Sequence, residues 1–249
     1  MSKLTGKRAV ITGGGTGIGL ACASRLDVEG IETLLMGRDL ERLEAAAGTL
    51  ERARAIRCDV TDDASVEAAF KASGPIDILI NNAGIAAACA FTKTSMDDWR
   101  QIQAVNVEGL VRCTQAVLGS MIRADYARII NIASIAGLRG GAYVAPYVAS
   151  KHAVVGLTKS LSLEYAQTNL TVNAVCPGFV ETQIVEDAIA NIMAKTGRTR
   201  DQALAELAKE NPQGRLIQPV EVAEAVAWLC SPHSGSVSGQ AITISGGAI

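Results

Sequence analysis

The stretch Arg8-Ala-Val-Ile-Thr-Gly-Gly-Gly-Thr-Gly-Ile-Gly19 decides the fold. It opens with an apolar run that predicts a buried strand, and an amphipathic helical pattern follows it. Glycines at 13, 17 and 19 permit a tight turn and a close approach of the backbone to a pyrophosphate, while the helix amino terminus supplies N–H groups. A lone glycine-rich turn is a weak signal. Its place between a predicted strand and a predicted helix favours dinucleotide binding.

The rest of the chain alternates β-branched runs with longer helical stretches, as parallel α/β proteins do. The 249 residues therefore predict one doubly wound α/β domain, 1–249, without an internal boundary. Residues 183–216 interrupt the alternation with two helical patterns around Gly197, and we expect them to form a lid. Strands are predicted at 8–12, 32–36, 54–58, 76–80, 128–133, 171–175 and 241–244, and helices at 18–29, 39–51, 63–72, 96–123, 148–167 and 220–230.

Composition argues against several classes of protein. A net charge of −2 and a hydrophobic fraction of 49% are not typical of a nucleic-acid-binding surface. No apolar run approaches the roughly 20 residues that a membrane helix needs, and no secretory leader is recognised, so we expect a cytoplasmic protein. The six cysteines form no Cys-x-x-Cys pair and the two histidines have no partner at ligand spacing. Buried, unpaired cysteines and no metal site are therefore expected.

Ser134, Tyr147 and Lys151 form a candidate proton-transfer group. Tyr147 and Lys151 are four residues apart in a helical stretch, so their side chains share one face. A free tyrosine hydroxyl has a pKa of about 10, and we expect the neighbouring ammonium to lower that pKa toward neutrality. Ser134 ends a predicted strand, where its hydroxyl is well placed to bond a substrate carbonyl oxygen. A surface Tyr–Lys pair with an unrelated serine is the alternative.

The end of the second predicted strand bears on the type of cofactor. An acidic side chain at this point binds the ribose 2′-hydroxyl of NAD, whereas arginine accommodates the 2′-phosphate of NADP. Gly37 offers no carboxylate, and Arg38 offers a planar guanidinium suited to phosphate. We therefore predict NADP(H) in preference to NAD(H). Asp39 is interpreted as the cap of the following helix.

Polar residues also follow the third and fourth predicted strands. Asp59 either accepts a hydrogen bond from an adenine amino group or belongs to an ordinary strand-to-helix turn with Thr61, and spacing does not separate the two. The small residues of Asn81-Asn-Ala-Gly84 let a ligand pass close to the backbone, and the asparagines can brace neighbouring strands. On spacing alone this segment is equally a polar turn.

Taken together, these motifs resemble the short-chain dehydrogenase/reductase superfamily over essentially the whole chain. The resemblance implies a seven-stranded parallel Rossmann sheet and hydride transfer between NAD(P) and a carbonyl or alcohol. It also suggests a homotetramer built on helices 96–123 and 148–167. The motifs that carry it are Thr12-Gly-x3-Gly-x-Gly19, Asp59, Asn81-Asn-Ala-Gly84, Asn106, Ser134, Tyr147-x3-Lys151 and Pro177-Gly178.

The resemblance implies a role for each matching residue. Tyr147 would be the general acid/base, Ser134 would polarise the substrate oxygen, and Lys151 would lower the tyrosine pKa and bind the nicotinamide ribose. Asn106 would hold a water molecule that links Lys151 to solvent. The candidate cofactor contacts are Gly13, Thr16, Gly17, Ile18, Gly19, Arg38, Asp59, Val60, Asn82, Ala83, Tyr147, Lys151, Pro177, Gly178, Val180 and Thr182.

Residues 145–152 and 171–182 are similar to those of bacterial 3-oxoacyl-thioester and polyketide ketoreductases, and also to acyl-CoA and hydroxy-acid dehydrogenases. Substrate contacts are expected from 85–91, 135–143 and the lid, which are mostly small and apolar and so favour an acyl or alicyclic substrate over a sugar. Basic residues nearby either meet phosphates of coenzyme A or an acyl carrier, or lie in solvated turns. They are Arg139, Lys195, Arg198 and Arg200.

The hypothesis that follows is an NADP(H)-dependent oxidoreductase that interconverts a ketone and a secondary alcohol, with a 3-oxoacyl thioester as one candidate ketone. One alternative is an NAD-dependent catabolic dehydrogenase of a hydroxyacyl-CoA or a simple secondary alcohol. An alternative of another class is a non-catalytic nucleotide-binding scaffold on the same fold.

Overall fold

Seven short strands form one parallel sheet in the computed structural model, which describes residues 4–249. Their spatial order is β3-β2-β1-β4-β5-β6-β7, so the direction of winding reverses between β1 and β4. Ligands of doubly wound proteins bind at such a reversal, beyond the carboxyl ends of the strands. The strands are β1 (Arg8–Thr12), β2 (Glu32–Gly37), β3 (Ala53–Arg57), β4 (Ile78–Asn81), β5 (Ala127–Ile132), β6 (Leu170–Pro177) and β7 (Ala241–Ile244).

Helices cover both faces of the sheet, as the predicted fold class requires. One face packs against the first and last helices of the chain, and the other packs against the third and fifth. Within residues 4–249 the α-helices are α1 (Gly17–Val28), α2 (Leu40–Ala47), α3 (Asp63–Ser73), α4 (Met96–Gln103), α5 (Gly109–Met121), α6 (Ala145–Glu164), α7 (Gln183–Thr196), α8 (Arg200–Lys209) and α9 (Pro219–Cys230).

The apolar character of the strands follows from this double coverage. Val10 and Ile11 are neighbours in β1 and both are fully buried, yet they enter different cores. Ile11 packs in the cluster that contains Leu26 of α1, whereas Val10 packs in the cluster that contains Met121 of α5. Because both side-chain directions are buried, the inner strands are mostly apolar instead of alternating, whereas the edge strand β3 exposes Arg54 and Arg57.

Side-chain caps fix where several helices begin. Asp39 Oδ1 accepts a hydrogen bond from the backbone N–H of Arg42 at 3.1 Å, which confirms its interpretation as the cap of α2. Asp62 caps α3 in the same way through Ser65 N at 2.6 Å. Each cap satisfies an N–H group that has no partner within its helix. The turns after β2 and β3 are thereby held in place next to the site.

Several predicted boundaries need correction. The predicted helix 96–123 is helical from Met96 to Met121, but it contains a π-helical turn, Ala104–Glu108, between α4 and α5. The predicted helix 148–167 starts earlier, at Ala145, so its first turn includes Tyr147. The fourth strand starts two residues later than expected, at Ile78. Directly before it, the Asp77 carboxylate binds Lys7 Nζ at 2.8 Å and Arg8 N at 2.9 Å.

The segment 183–216 contains α7 and α8, which confirms the two helical patterns. Gly197 ends α7 with a left-handed φ of 70°. The two helices share a small core of their own, made of Val185, Ile189, Ala203 and Leu207. The role of this segment as a lid stays a prediction. Among residues 4–249, no helix combines the length and the apolar character that a membrane crossing requires.

Candidate active site

The glycine-rich turn joins β1 to α1 as predicted. Gly13 and Gly17 adopt left-handed φ angles of 64° and 53°. A Cβ on Gly19 would overlap the carbonyl oxygen of Gly13 and would lie 2.6 Å from Asn82 Nδ2. Only glycine fits this position, so the turn keeps its backbone exposed at the amino terminus of α1, where a pyrophosphate is favoured.

The turn is fixed to the end of β4 by two polar residues. Asn82 Nδ2 donates to the carbonyl oxygens of Thr12 and Gly13 at 2.9 and 3.1 Å. In return, Thr12 Oγ1 accepts from the backbone N–H groups of Asn82 and Ala83 at 2.9 and 3.0 Å. The structure thus brings the predicted contacts Gly13, Asn82 and Ala83 together. The contribution of Thr12 was not predicted.

A buried polar chain braces the next strands. Asn81 Nδ2 donates to Asn131 Oδ1 at 2.9 Å and to Thr114 Oγ1 at 3.1 Å. Asn131 Nδ2 then donates to Thr158 Oγ1 of α6 at 2.9 Å. The prediction that asparagines brace neighbouring strands is therefore confirmed. This chain ties β4 and β5 to α6, the helix that contains Tyr147 and Lys151.

Ser134, Tyr147 and Lys151 converge beyond β5. The Lys151 ammonium donates to the Ile132 carbonyl at 2.8 Å and lies 5.6 Å from the centroid of the Tyr147 ring. The Ser134 side chain hydrogen-bonds Tyr147, and its hydroxyl also accepts from Ala136 N at 3.1 Å. The three residues therefore form one group and not a surface pair with an unrelated serine.

The pKa values of this group differ from those expected. Burial raises the pKa of Tyr147, although its hydrogen bond with Ser134 opposes that effect. Burial lowers the pKa of Lys151 to about 8. The expectation that the tyrosine pKa is lowered toward neutrality is wrong in this structure, because removal of the phenolate from water is the largest effect. The ammonium is directed at the Ile132 carbonyl.

Asn106 lies in the π-helical turn and is 2% exposed. Its Oδ1 accepts from Ile85 N at 2.8 Å, and its Nδ2 donates to Ile85 O at 2.9 Å and to Ser150 Oγ at 3.0 Å. Both amide hydrogens are therefore used within the protein. A Cβ on Gly84 would lie 3.4 Å from Asn106 Oδ1 and 3.6 Å from Lys151 Nζ, so both side chains lie next to Gly84. The water relay stays a prediction, and Ser150 is an unpredicted partner.

After β3, Asp59 and Thr61 form the strand-to-helix turn, which was one of the two interpretations of Asp59. Asp59 Oδ1 accepts from Thr61 N at 2.9 Å and Thr61 Oγ1 at 2.7 Å. These bonds lower the pKa of Asp59, and the nearby charge of Arg38 lowers it further. Val60 packs against Gly109. Arg38 is exposed beside this turn.

The predicted contacts after β6 lie near the start of α7. The Pro177 carbonyl oxygen is 3.4 Å from Ser134 Oγ, and Thr182 Oγ1 donates to the Val180 carbonyl at 3.2 Å. Buried Asn211 holds the backbone here, accepting from Phe179 N at 3.1 Å and donating to Phe179 O at 3.0 Å. In the sequence, Asn211 is followed by a Pro-x-Gly turn, and nothing in this pattern predicts that its side chain binds the backbone of Phe179. Thr16, Ile18 and Gly178 lie in the segments predicted, at the start of α1 and directly after β6.

Comparison with known proteins identifies the family. Residues 7–192 match the short chain dehydrogenase family. The chain belongs to this family. It is 39% identical over 249 residues to a putative ketoacyl reductase of Streptomyces coelicolor, covering 96% of this chain and 95% of that protein. It is 38% identical over 258 residues to the oxidoreductase UcpA of Escherichia coli, covering 100% and 96%.

The structural comparison agrees. A point variant of actinorhodin polyketide ketoreductase, solved with NADPH, has a TM-score of 0.95 and 38% identity, covering 100% of this chain and 99% of that one. The predicted superfamily and the Rossmann-type fold are therefore confirmed. As a short chain dehydrogenase, this protein is an NAD(P)-dependent oxidoreductase.

Three contacts join the expected substrate walls of this dehydrogenase. Lys195 Nζ donates to the Ala88 carbonyl at 3.2 Å, Cys89 N donates to the Tyr143 carbonyl at 2.8 Å, and Arg139 pairs with Glu210 at 3.3 Å. Tyr143 has a φ of 65° and a side chain that is 68% exposed. Such a backbone conformation is strained for a bulky residue and is often found at functional sites.

Arg198 and Arg200 of the lid are both paired with carboxylates. Arg200 binds Glu186 at 2.7 Å, and Arg198 forms an ion pair with Glu206. This pairing within the chain fits the interpretation that Arg198 and Arg200 lie in solvated turns. All six cysteines are free, and five are buried as predicted. Cys89 is the exception, since it is half-buried in the wall beside Tyr143.

Proposed function

We propose that this dehydrogenase is an NADPH-dependent ketoreductase that reduces a ketone to a secondary alcohol. The observation that carries the proposal is the convergence of Ser134, Tyr147 and Lys151 beyond β5. The likeness to a ketoreductase solved with NADPH supports the same conclusion. Catalysis by this group needs a proton donor, a carbonyl-orienting hydroxyl and a nearby cation, and the three residues provide them.

The chemistry of the residues fits reduction. When bound, the nicotinamide supplies a hydride to the carbonyl carbon. Ser134 donates a hydrogen bond to the carbonyl oxygen and positions it, and Tyr147 transfers its proton to that oxygen. The raised pKa of Tyr147 keeps the hydroxyl protonated near neutrality, as an acid requires. Lys151, with a pKa of about 8, remains mostly charged at pH 7 and stabilises the phenolate that forms.

The glycine turn fits a dinucleotide. Its backbone cradle has no room for a Cβ on Gly19, and it lies at the amino terminus of α1. Arg38 is exposed at the carboxyl end of β2, where a 2′-phosphate would be bound. These features support NADP(H) in preference to NAD(H).

We infer an apolar ketone as the substrate class, of the kind found in a 3-oxoacyl thioester or a polyketide intermediate. Residues 85–91 are small and apolar apart from exposed Phe91, and Tyr143 adds a second exposed aromatic ring. The relatives named as ketoacyl reductases support this class. Recognition of a carrier phosphate gains no support from Arg198 or Arg200, because both are paired with carboxylates.

The test is NADPH oxidation with a panel of an alicyclic ketone, an aromatic ketone and a 3-oxoacyl thioester. We expect turnover that Tyr147→Phe abolishes while NADPH binding, measured by fluorescence, stays close to wild type. Tyr165→Phe is the matched control, since Tyr165 directly follows α6 and bonds Glu164. Substantial turnover by Tyr147→Phe contradicts the assignment of the acid.

The same panel separates the alternatives. Faster oxidation of a secondary alcohol with NAD than reduction with NADPH favours a catabolic dehydrogenase. Absence of turnover with every ketone and alcohol, together with retained NADPH binding, favours a scaffold. The homotetramer on residues 96–123 and 148–167 also stays a prediction. A molecular mass of one chain by light scattering would contradict it.

A further inference from the structure

A cavity of about 490 Å³ lies at the carboxyl ends of β2 and β3. The two strands bring one arginine each to it. Gly37 is opposite Arg57 in the parallel register, and Cys58 N donates to the Gly37 carbonyl at 2.8 Å. Arg38 follows Gly37 directly, and both arginines line the cavity. The lining residues are Arg38, Arg57, Asp59, Asp62, Ser65 and Ala68.

These arginines differ from the others in their pairing. Most arginines of the chain form an ion pair, such as Arg8 with Glu32 at 2.8 Å and Arg215 with Glu221 at 2.7 Å. Within residues 4–249, neither Arg38 nor Arg57 makes a salt bridge or a side-chain hydrogen bond, and both are exposed. Two unpaired guanidinium groups at one cavity are available to an external anion.

The carboxylates of the cavity are committed elsewhere. Asp59 accepts two hydrogen bonds from Thr61, and Asp62 caps α3 through Ser65 N at 2.6 Å. Asp59 is nevertheless close enough for its charge and that of Arg38 to act on each other. An anion placed here therefore meets a guanidinium whose charge is partly offset. A second cation is needed to hold a dianion, and Arg57 supplies it.

We propose that Arg57 acts with Arg38 as the second cationic contact for a phosphomonoester, the 2′-phosphate of the cofactor. This proposal rests on the proposed function, because it assumes NADP(H). The glycine turn contributes no charge, since residues 14–16 are Gly-Gly-Thr. The second cation therefore comes from β3. Two planar guanidinium groups can share the phosphate oxygens through charge-assisted hydrogen bonds.

The test compares two ligands that differ only in this phosphate, adenosine 2′,5′-bisphosphate and 5′-AMP, by isothermal titration calorimetry on the full chain. We expect Arg57→Gln to weaken binding of the bisphosphate about tenfold to a hundredfold, as loss of a charge-assisted bond predicts. Its affinity for 5′-AMP should stay within about twofold of wild type, because that ligand lacks the 2′-phosphate. Arg57→Lys should restore part of the lost affinity.

Arg123→Gln is the matched control, since Arg123 is exposed and follows α5, away from this cavity. Arg57→Gln should also show a shallower dependence of bisphosphate affinity on salt, as expected when one phosphate contact is lost. Bisphosphate affinity equal to wild type in Arg57→Gln overturns the role of Arg57 alone. Equal affinity of the wild-type protein for the two ligands overturns the NADP(H) assignment together with it.

Discussion

Replacement of Gly137 by alanine tests how Ser134 is positioned. Gly137 ends the short turn Ile135–Gly137 that follows Ser134, and the turn packs directly on α6 at Lys151. A Cβ on Gly137 would lie 2.6 Å from the Lys151 carbonyl oxygen and 3.1 Å from Val155 Cγ2. The Lys151 carbonyl belongs to the backbone of α6 and cannot rotate away. The turn and α6 must therefore separate by most of an ångström to admit the methyl group.

The expected magnitude follows from that separation. Overpacking of this kind costs about 1–3 kcal/mol, which lowers Tm by about 2–12 °C in a chain of this length. Ser134 moves with the turn, because Ala136 N donates to its hydroxyl at 3.1 Å. A shift of about 1 Å in a positioned group can reduce turnover about a hundredfold. We therefore expect kcat to fall while the affinity for NADPH changes little.

Gly140→Ala is the control in the same loop, since a Cβ there would have no atom within 4 Å. Thermal unfolding and ketone reduction are measured for both variants and for wild type. Gly140→Ala should stay within about 0.5 kcal/mol of wild type. If Gly137→Ala matches Gly140→Ala in both Tm and kcat, the close packing of the turn on α6 does not position Ser134.

Three further predictions concern Lys151, Tyr143 and Asp39. The pKa of Lys151 is about 8 in the folded protein and about 10.4 in the unfolded chain. Burial of the charged ammonium therefore lowers the free energy of unfolding below pH 8, and this destabilisation disappears as the pH rises toward 10.4. Urea unfolding should therefore show wild type gaining roughly 2 kcal/mol relative to Lys151→Met between pH 7 and 9.5, and parallel profiles would disprove this. Tyr143→Gly should leave Tm unchanged or raised, because the left-handed backbone is relaxed, yet raise KM for an apolar ketone; a lower Tm with an unchanged KM is the opposing result. Asp39→Ala should cost about 1 kcal/mol in urea unfolding through loss of the α2 cap, with Asp39→Asn near wild type and the NADPH-to-NADH preference unaffected in both; a changed preference would place Asp39 in the cofactor site.

The sequence was sufficient for the fold because its signals are local. Apolar runs mark strands buried on both faces, and the glycine turn lies between the first strand and the first helix. Asp39 was recognised as a cap for the same reason, since capping depends on neighbouring residues. The seven-stranded parallel sheet was implied by the resemblance, and the order of its strands was not predicted, because no local pattern encodes which strands pair.

Several contacts between residues that are distant in the sequence were not predicted. Ser150 meets Asn106 across 44 residues, and Arg57 adjoins Arg38 only through strand pairing. The direction of the Tyr147 pKa shift was wrong because i, i+4 spacing indicates the neighbouring cation but not the burial of the hydroxyl. No characteristic residue composition marks a π-helical turn, so residues 96–123 predicted a regular α-helix.

That π-helical turn has a consequence for how the chain tolerates insertions and deletions. A π turn holds one residue more than an α turn, and such turns are frequent at functional sites. Deletion of one residue within Ala104–Glu108 would allow α4 and α5 to join as a regular helix. The following residues would rotate by about 100°, which would turn either Asn106 away from Ser150 or α5 away from the sheet. A regular helix here and the present orientation of the Asn106 carboxamide therefore exclude each other, and the extra residue of the π turn preserves the orientation of Asn106.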